Sequence, residues 1–231
     1  MNVLCIGNSF SQDAASYVHQ ISDGEIDIYN LYIGGCTLER HYRNMLGEKR
    51  EYMLEVNGTS TGFRVGMKEA LLTRPWDVVA VQQQSAASAR EDSFEPYLTE
   101  IVSLIRKCCP KTEIWMHQSW AYEAGSKHLQ NVPFDTPAEM LAKVKNNYEK
   151  AAARIGAAGI LPSGMVMDAL VNAGLSPVYR DGLHASYDIG RWALGLMWAE
   201  KLLGRTVDPS FTAGLAEETL DNIRIAVKKV R

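Results

Sequence analysis

Short apolar runs that stop at glycine or at polar clusters alternate with helix-length segments along the whole chain, and few folds accommodate that rhythm. Val3–Ile6 is such a run and ends at Gly7, after which Asp13–Ile21 reads as a helix. Ile26–Ile33 alternates as a second strand and stops at Gly34-Gly35. Asp77–Val81 follows Pro75-Trp76 as a third. An amphipathic stretch from Ser93 to Cys109 predicts a helix closed by Pro110, and Glu113–His117 predicts a fourth strand. Pro137–Ile155 is helix-like, and Gly159–Leu161 can supply a short fifth strand. Met165–Asn172, Tyr187–Leu203 and Ala216–Val230 predict the remaining helices. The expectation is an α/β fold, a parallel sheet covered by helices on both faces. One segment breaks the pattern. Glu51–Val65 sets Asn57-Gly58 between alternating residues, which predicts a β-hairpin insertion, with a short helix at Gly66–Thr73 behind it. No linker-like stretch or repeat interrupts the 231 residues, so a single domain is expected.

Composition narrows the function classes. Lys+Arg 24 against Asp+Glu 27 leaves a net charge of -3, which gives no electrostatic footprint for nucleic acid. No apolar run approaches the roughly 18 residues of a membrane span. Met1-Asn2 leads straight into the first strand without a basic leader, so a cytoplasmic location is expected. Cys5 and Cys36 are isolated and Cys108-Cys109 adjacent, a spacing that suits neither a metal site nor an ordinary disulfide and predicts reduced thiols.

Chemistry gathers at the strand ends. The first strand runs into Gly7-Asn8-Ser9-Phe10-Ser11 just before a helix, which places Ser9 at the carboxyl edge of the sheet, with Ser11 as a candidate N-cap. Alone, that turn could equally cradle a phosphate. Near the other end, Asp181-Gly182-Leu183-His184 spaces a carboxylate and an imidazole by three residues. Such a spacing lets Asp181 hold His184 Nδ1 and leaves Nε2 free to take a proton from Ser9. Gly34-Gly35 after the second strand and Gln82-Gln83-Gln84 after the third can supply oxyanion donors, from a glycine N–H and a side-chain amide.

These blocks resemble the SGNH/GDSL hydrolase superfamily. Gly7-Asn8-Ser9-Phe10-Ser11 matches the family's serine block, Gly35 its second block and Asp181-Gly182-Leu183-His184 its last, in the family's order. The third block departs: Gln82–Gln84 and Ser85 stand where the family has an asparagine, as in a bacterial subgroup with a Gln-rich third block. The resemblance implies a flavodoxin-like three-layer α/β/α sandwich with a five-stranded parallel sheet. It implies a serine esterase without metal or cofactor, acting on small acyl esters such as O-acetyl groups on carbohydrate. Ser9 would be the nucleophile, His184 the base and Asp181 the orienting carboxylate. The N–H groups of Ser9 and Gly35 would bind the oxyanion with one glutamine. Because a glutamine is one methylene longer than an asparagine, reach favours Gln82 over Gln84 as that donor.

Other residues complete the reading. Trp120 and Tyr122 leave the fourth strand and are candidates for the substrate pocket. His117 ranks second as a base because no Asp lies three residues away. Arg40-His41-Tyr42 reads as a solvated helix start, His19 and His128 as ordinary surface residues, and Met165 and Met167 as packing. The competing function is a non-catalytic flavodoxin-like module binding phosphate or carbohydrate, which would not require Asp181 and His184.

Overall fold

The computed structural model describes residues 1–230, and its architecture follows from where the apolar runs lie. β1 (Asn2–Gly7) is buried along almost its whole length, as a central parallel strand with helices on both sides must be. It passes directly into α1 (Ser9–Ala15), then α2 (Val18–Ile21) and β2 (Asp27–Tyr32). After α3 (Leu38–Leu46), β3 (Tyr52–Val56) and β4 (Thr59–Val65) form the hairpin, and α4 (Met67–Leu71) leads to β5 (Val78–Val81). There follow α5 (Ser85–Ser88), α6 (Tyr97–Cys108), β6 (Glu113–His117), α7 (Lys127–Gln130), α8 (Pro137–Ile155) and β7 (Gly159–Leu161). The chain closes with α9 (Ser163–Asn172), α10 (Ile189–Leu203) and α11 (Glu217–Lys228).

The sheet order is β4-β3-β2-β1-β5-β6-β7. The five strands β2, β1, β5, β6 and β7 are parallel, in the flavodoxin-like order. Where an insertion was expected beside a five-stranded sheet, the hairpin instead extends it to seven, because β3 pairs antiparallel with β2. Open backbone on β2 attracts the hairpin, and Asn57 seals the junction by accepting from the Ile28 N–H at 2.8 Å. Helices α1, α2, α9, α10 and α11 pack with one another in one layer, and α3, α4, α6 and α8 in the other. No described helix is long and apolar enough to cross a membrane.

Strand direction reverses its progress across the sheet at β1, whose neighbours are β2 on one side and β5 on the other. The carboxyl end of β1 is therefore the topological switch point, where open α/β sheets leave a crevice. Two local expectations change here. The first helix begins at Ser9 rather than Asp13, because the Asn8 side chain caps it by accepting from the Phe10 N–H. Asn8, not Ser11, is thus the N-cap. His41 is fully buried and stacked on Tyr52 rather than solvated, since α3 turns that face towards the hairpin.

Candidate active site

Ser9 stands at the first position of α1, at the switch point, and the Asp181–His184 loop folds over it from the chain's other end. Ser9 Oγ lies 2.9 Å from His184 Nε2, and His184 Nδ1 lies 2.7 Å from Asp181 Oδ2. The other carboxylate oxygen, Oδ1, accepts from the backbone N–H groups of Leu183 and His184 at 3.0 and 2.7 Å. Partial burial raises the Asp181 pKa, but these hydrogen bonds, led by the His184 backbone, outweigh it and hold the group at about 2. An ionised carboxylate only accepts, so Nδ1 carries the ring proton and Nε2 presents a lone pair to the serine hydroxyl.

The turn beneath is built to a tight tolerance. A Cβ on Gly7 would come within 2.1 Å of Ser11 Oγ and 2.7 Å of Gln82 Oε1. That space holds a buried network in which Gln82 Oε1 accepts from Ser11 Oγ at 2.9 Å and from the Asn8 N–H at 3.3 Å. Asn8 Nδ2 donates to the Cys36 carbonyl at 3.1 Å, tying the serine turn to the glycine turn after β2. Gly35 takes φ +62 there, a left-handed conformation that glycine adopts without strain.

A cleft of about 290 Å³ opens beside Ser9, bounded by Phe10, Tyr32, Gly34, Gly35, Gln84, Ser85, Leu183 and His184. Several candidates lie elsewhere. Gln82 has no exposed surface and turns its amide nitrogen to Ser119 at 3.5 Å, so reach along the strand does not bring it to the cleft. Gln84 is the glutamine at the cleft wall, where its Oε1 also caps α5 by accepting from the Ala87 N–H. Gln83 braces neighbouring backbone by accepting from the Leu38 and Gln84 N–H groups at 2.9 and 2.8 Å.

Trp120 is buried behind the cleft rather than lining it. Its ring stacks on Phe10 at 3.7 Å, and its Nε1 supports the base loop by donating to the Leu183 carbonyl at 2.8 Å. Tyr122 faces a separate cavity of about 260 Å³, with its hydroxyl 2.8 Å from Ser85 Oγ. His117 is buried, pushed down to about 3 by that burial, and meets Ser11 at 3.1 Å rather than Ser9.

Sequence reasoning placed Asn8 and Ser85 in the motif blocks without a role of their own and missed Tyr32, and also Asp13, which is held by Arg180 and Arg191 beneath the His184 loop. The signal for Asp13 was its spacing of four from Ser9, which becomes one helix face only once the helix starts at Ser9.

The model of the DUF4886 family, described as a domain of unknown function, matches residues 2–218. Among curated proteins no sequence relative matches the chain. A DUF4886 family protein from Bacteroides uniformis superposes with a TM-score of 0.93 at 32% identity, over 100% of this chain and 94% of that one. An aryl esterase from M. smegmatis superposes at TM-score 0.56 and 11% identity, over 88% of this chain and 98% of that one. A carbohydrate acetylesterase from Sinorhizobium meliloti does so at 0.52 and 12%, again over 88% and 98%. At those identities the last two similarities concern the fold alone. That fold is shared also with a protein from Slackia heliotrinireducens described as a putative SGNH hydrolase, at TM-score 0.64 and 21% identity over 87% of this chain and 98% of that one.

Proposed function

The chain belongs to the DUF4886 family, and we propose that this member of it is a serine esterase hydrolysing small acyl esters, such as O-acetyl groups on carbohydrate. The observation that carries the reading is the unbroken relay from Ser9 Oγ through His184 to Asp181, with links of 2.9 and 2.7 Å. Ser9 attacks the acyl carbon while His184 Nε2 takes its proton. The imidazolium is stabilised by Asp181 and returns that proton to the departing alkoxide; a water activated by the same nitrogen then releases the acid. The oxyanion is received by the Ser9 N–H, which has no intrahelical acceptor at the helix's first position, and by the Gly35 N–H, with Gln84 Nε2 as a third donor. Phe10, Tyr32 and Leu183 leave the cleft apolar and small, which suits a short acyl chain. Among the described residues no Lys or Arg lines it, which speaks against a phosphate-binding module. The acetylesterase of shared fold supports an acetylated carbohydrate as substrate class.

The test is turnover of p-nitrophenyl acetate together with labelling by a fluorophosphonate. Wild-type protein should be labelled at Ser9, and Ser9→Ala and His184→Ala should each abolish most turnover. Asp181→Asn should fold yet lose about 10⁴ in kcat, as loss of an orienting carboxylate does. Labelling at another serine, or full activity in His184→Ala, would overturn the reading.

A further inference from the structure

Asp13 is a carboxylate with no exposed surface, on the same short helix as Ser9 and one turn further along. Its Oδ1 accepts from Arg180 Nη1 at 2.9 Å and from Arg191 Nε and Nη2 at 2.9 and 2.8 Å. Its Oδ2 accepts from Arg180 Nη1 at 2.9 Å and from the Ala185 N–H at 3.1 Å. One side chain therefore joins three parts of the molecule: α1, the first turn of α10, and the loop that carries His184.

That loop is held at both ends by the same cluster. The Arg180 N–H donates to the His184 carbonyl at 3.0 Å, and the Arg180 side chain also donates to the Ala185 carbonyl. Between these anchors lies Gly182 at φ +81, a backbone with little stiffness of its own. Tyr187, itself 59% exposed, lies over both guanidinium groups, 4.7 and 4.6 Å from its ring, and shields the cluster from water.

Stability alone gives no reason for such a cluster. Desolvating a carboxylate and two guanidinium groups is costly, and apolar side chains of similar volume commonly fill such space as well or better. A carboxylate on α1 that receives directed bonds from one loop and from α10 does something that apolar packing cannot: it fixes distance and angle. We infer that Asp13, with Arg180 and Arg191, is a positioning residue that sets His184 Nε2 against Ser9 Oγ by referring both to one helix. The inference rests on the serine-esterase reading for its kinetic consequence, but the geometry it asserts is readable without turnover.

The experiment compares Asp13→Glu and Arg191→Lys with wild type. Asp13→Glu keeps the buried charge and lengthens it by one methylene. Arg191→Lys keeps its charge and removes the fork, at a residue close enough to the surface to tolerate the change. Thermal melts establish folding, kcat and KM are measured on p-nitrophenyl acetate, and the low-field proton resonance of the His184–Asp181 hydrogen bond is recorded. A misplacement of about 1 Å costs roughly 10² in rate, so folded Asp13→Glu should lose about that in kcat with KM little changed, and Arg191→Lys less. In both, the low-field resonance should broaden or shift. A folded variant of either kind with wild-type kcat and an unaltered resonance would overturn the inference. If wild-type protein hydrolyses no ester and Ser9 resists the fluorophosphonate, the esterase reading fails alone, and the resonance in the variants still decides whether Asp13 positions His184.

Discussion

Each of the three consecutive glutamines has a distinct task, set by the direction its side chain takes at the end of β5. Gln82 points down into the turn network, Gln83 across to α3, and Gln84 out to the cleft. The chemistry of an oxyanion donor requires an N–H that reaches the developing charge, and only Gln84 stands at the cleft wall. Gln84→Ala should therefore lower kcat by about 10² while leaving KM nearly unchanged, with the modest loss of stability, about 1 kcal/mol, that removing the cap of α5 brings. Gln82→Ala should instead destabilise, because Ser11 Oγ and the buried Asn8 N–H lose their shared acceptor, at about 1–3 kcal/mol. Steady-state kinetics and urea melts on both variants separate the two roles. Equal losses of kcat in the two variants, or a larger loss of stability in Gln84→Ala than in Gln82→Ala, would contradict the division.

At the scale of elements, the junction of β1 and α1 carries the most consequence. It must turn a buried strand into a helix within one residue, and Asn8 accomplishes this by capping α1 and bridging to Cys36. Gly7 is required by close approach, since its Cα faces Ser11 Oγ and Gln82 Oε1 directly. Gly7→Ala should separate that pair, cost about 1–3 kcal/mol by overpacking, and displace Ser9 enough to reduce turnover. Melting temperature and kcat read the two effects, and an unchanged kcat would mean that the turn tolerates more movement than its packing allows. The hairpin plays a second part in the same junction, because Glu55 on β3 accepts from Gln12 of α1 and from Asn30 of β2 at 2.8 Å. The element that extends the sheet thereby also braces the helix that carries Ser9.

Over the whole molecule, two buried imidazoles tie stability to pH. Burial holds His117 down to about 3, and burial with the charge of Arg40 does the same to His41. Unfolded histidine titrates near 6.5, so between that value and about 3 the unfolded chain binds protons that the folded chain refuses. The contribution of these imidazoles should be fully present above about pH 6.5 and fall as pH drops below it, by at most about 1.4 kcal/mol per pH unit for each. Urea midpoints at pH 7 and pH 5 check the direction, and His117→Gln should flatten the dependence; equal midpoints in wild type would contradict it. Much of this architecture is legible in the chain order. Periodicity marks the parallel strands because a strand's alternation and a helix's apolar stripe are local properties. The spacing of Asp181 and His184 is local too, and so are the glycines that end β1 and β2. What the chain order leaves open is set by contacts far apart along it: Ser11 with Gln82 at a separation of 71, Asp13 with Arg191 at 178. The start of α1 depends on Asn8 bridging to the next loop, the place of the hairpin on a free edge of β2, and the choice between Gln82 and Gln84 on which space is already filled. Those outcomes follow from which strand ends become neighbours, and that is decided only when the sheet assembles and its packing sets which partners each polar group can reach.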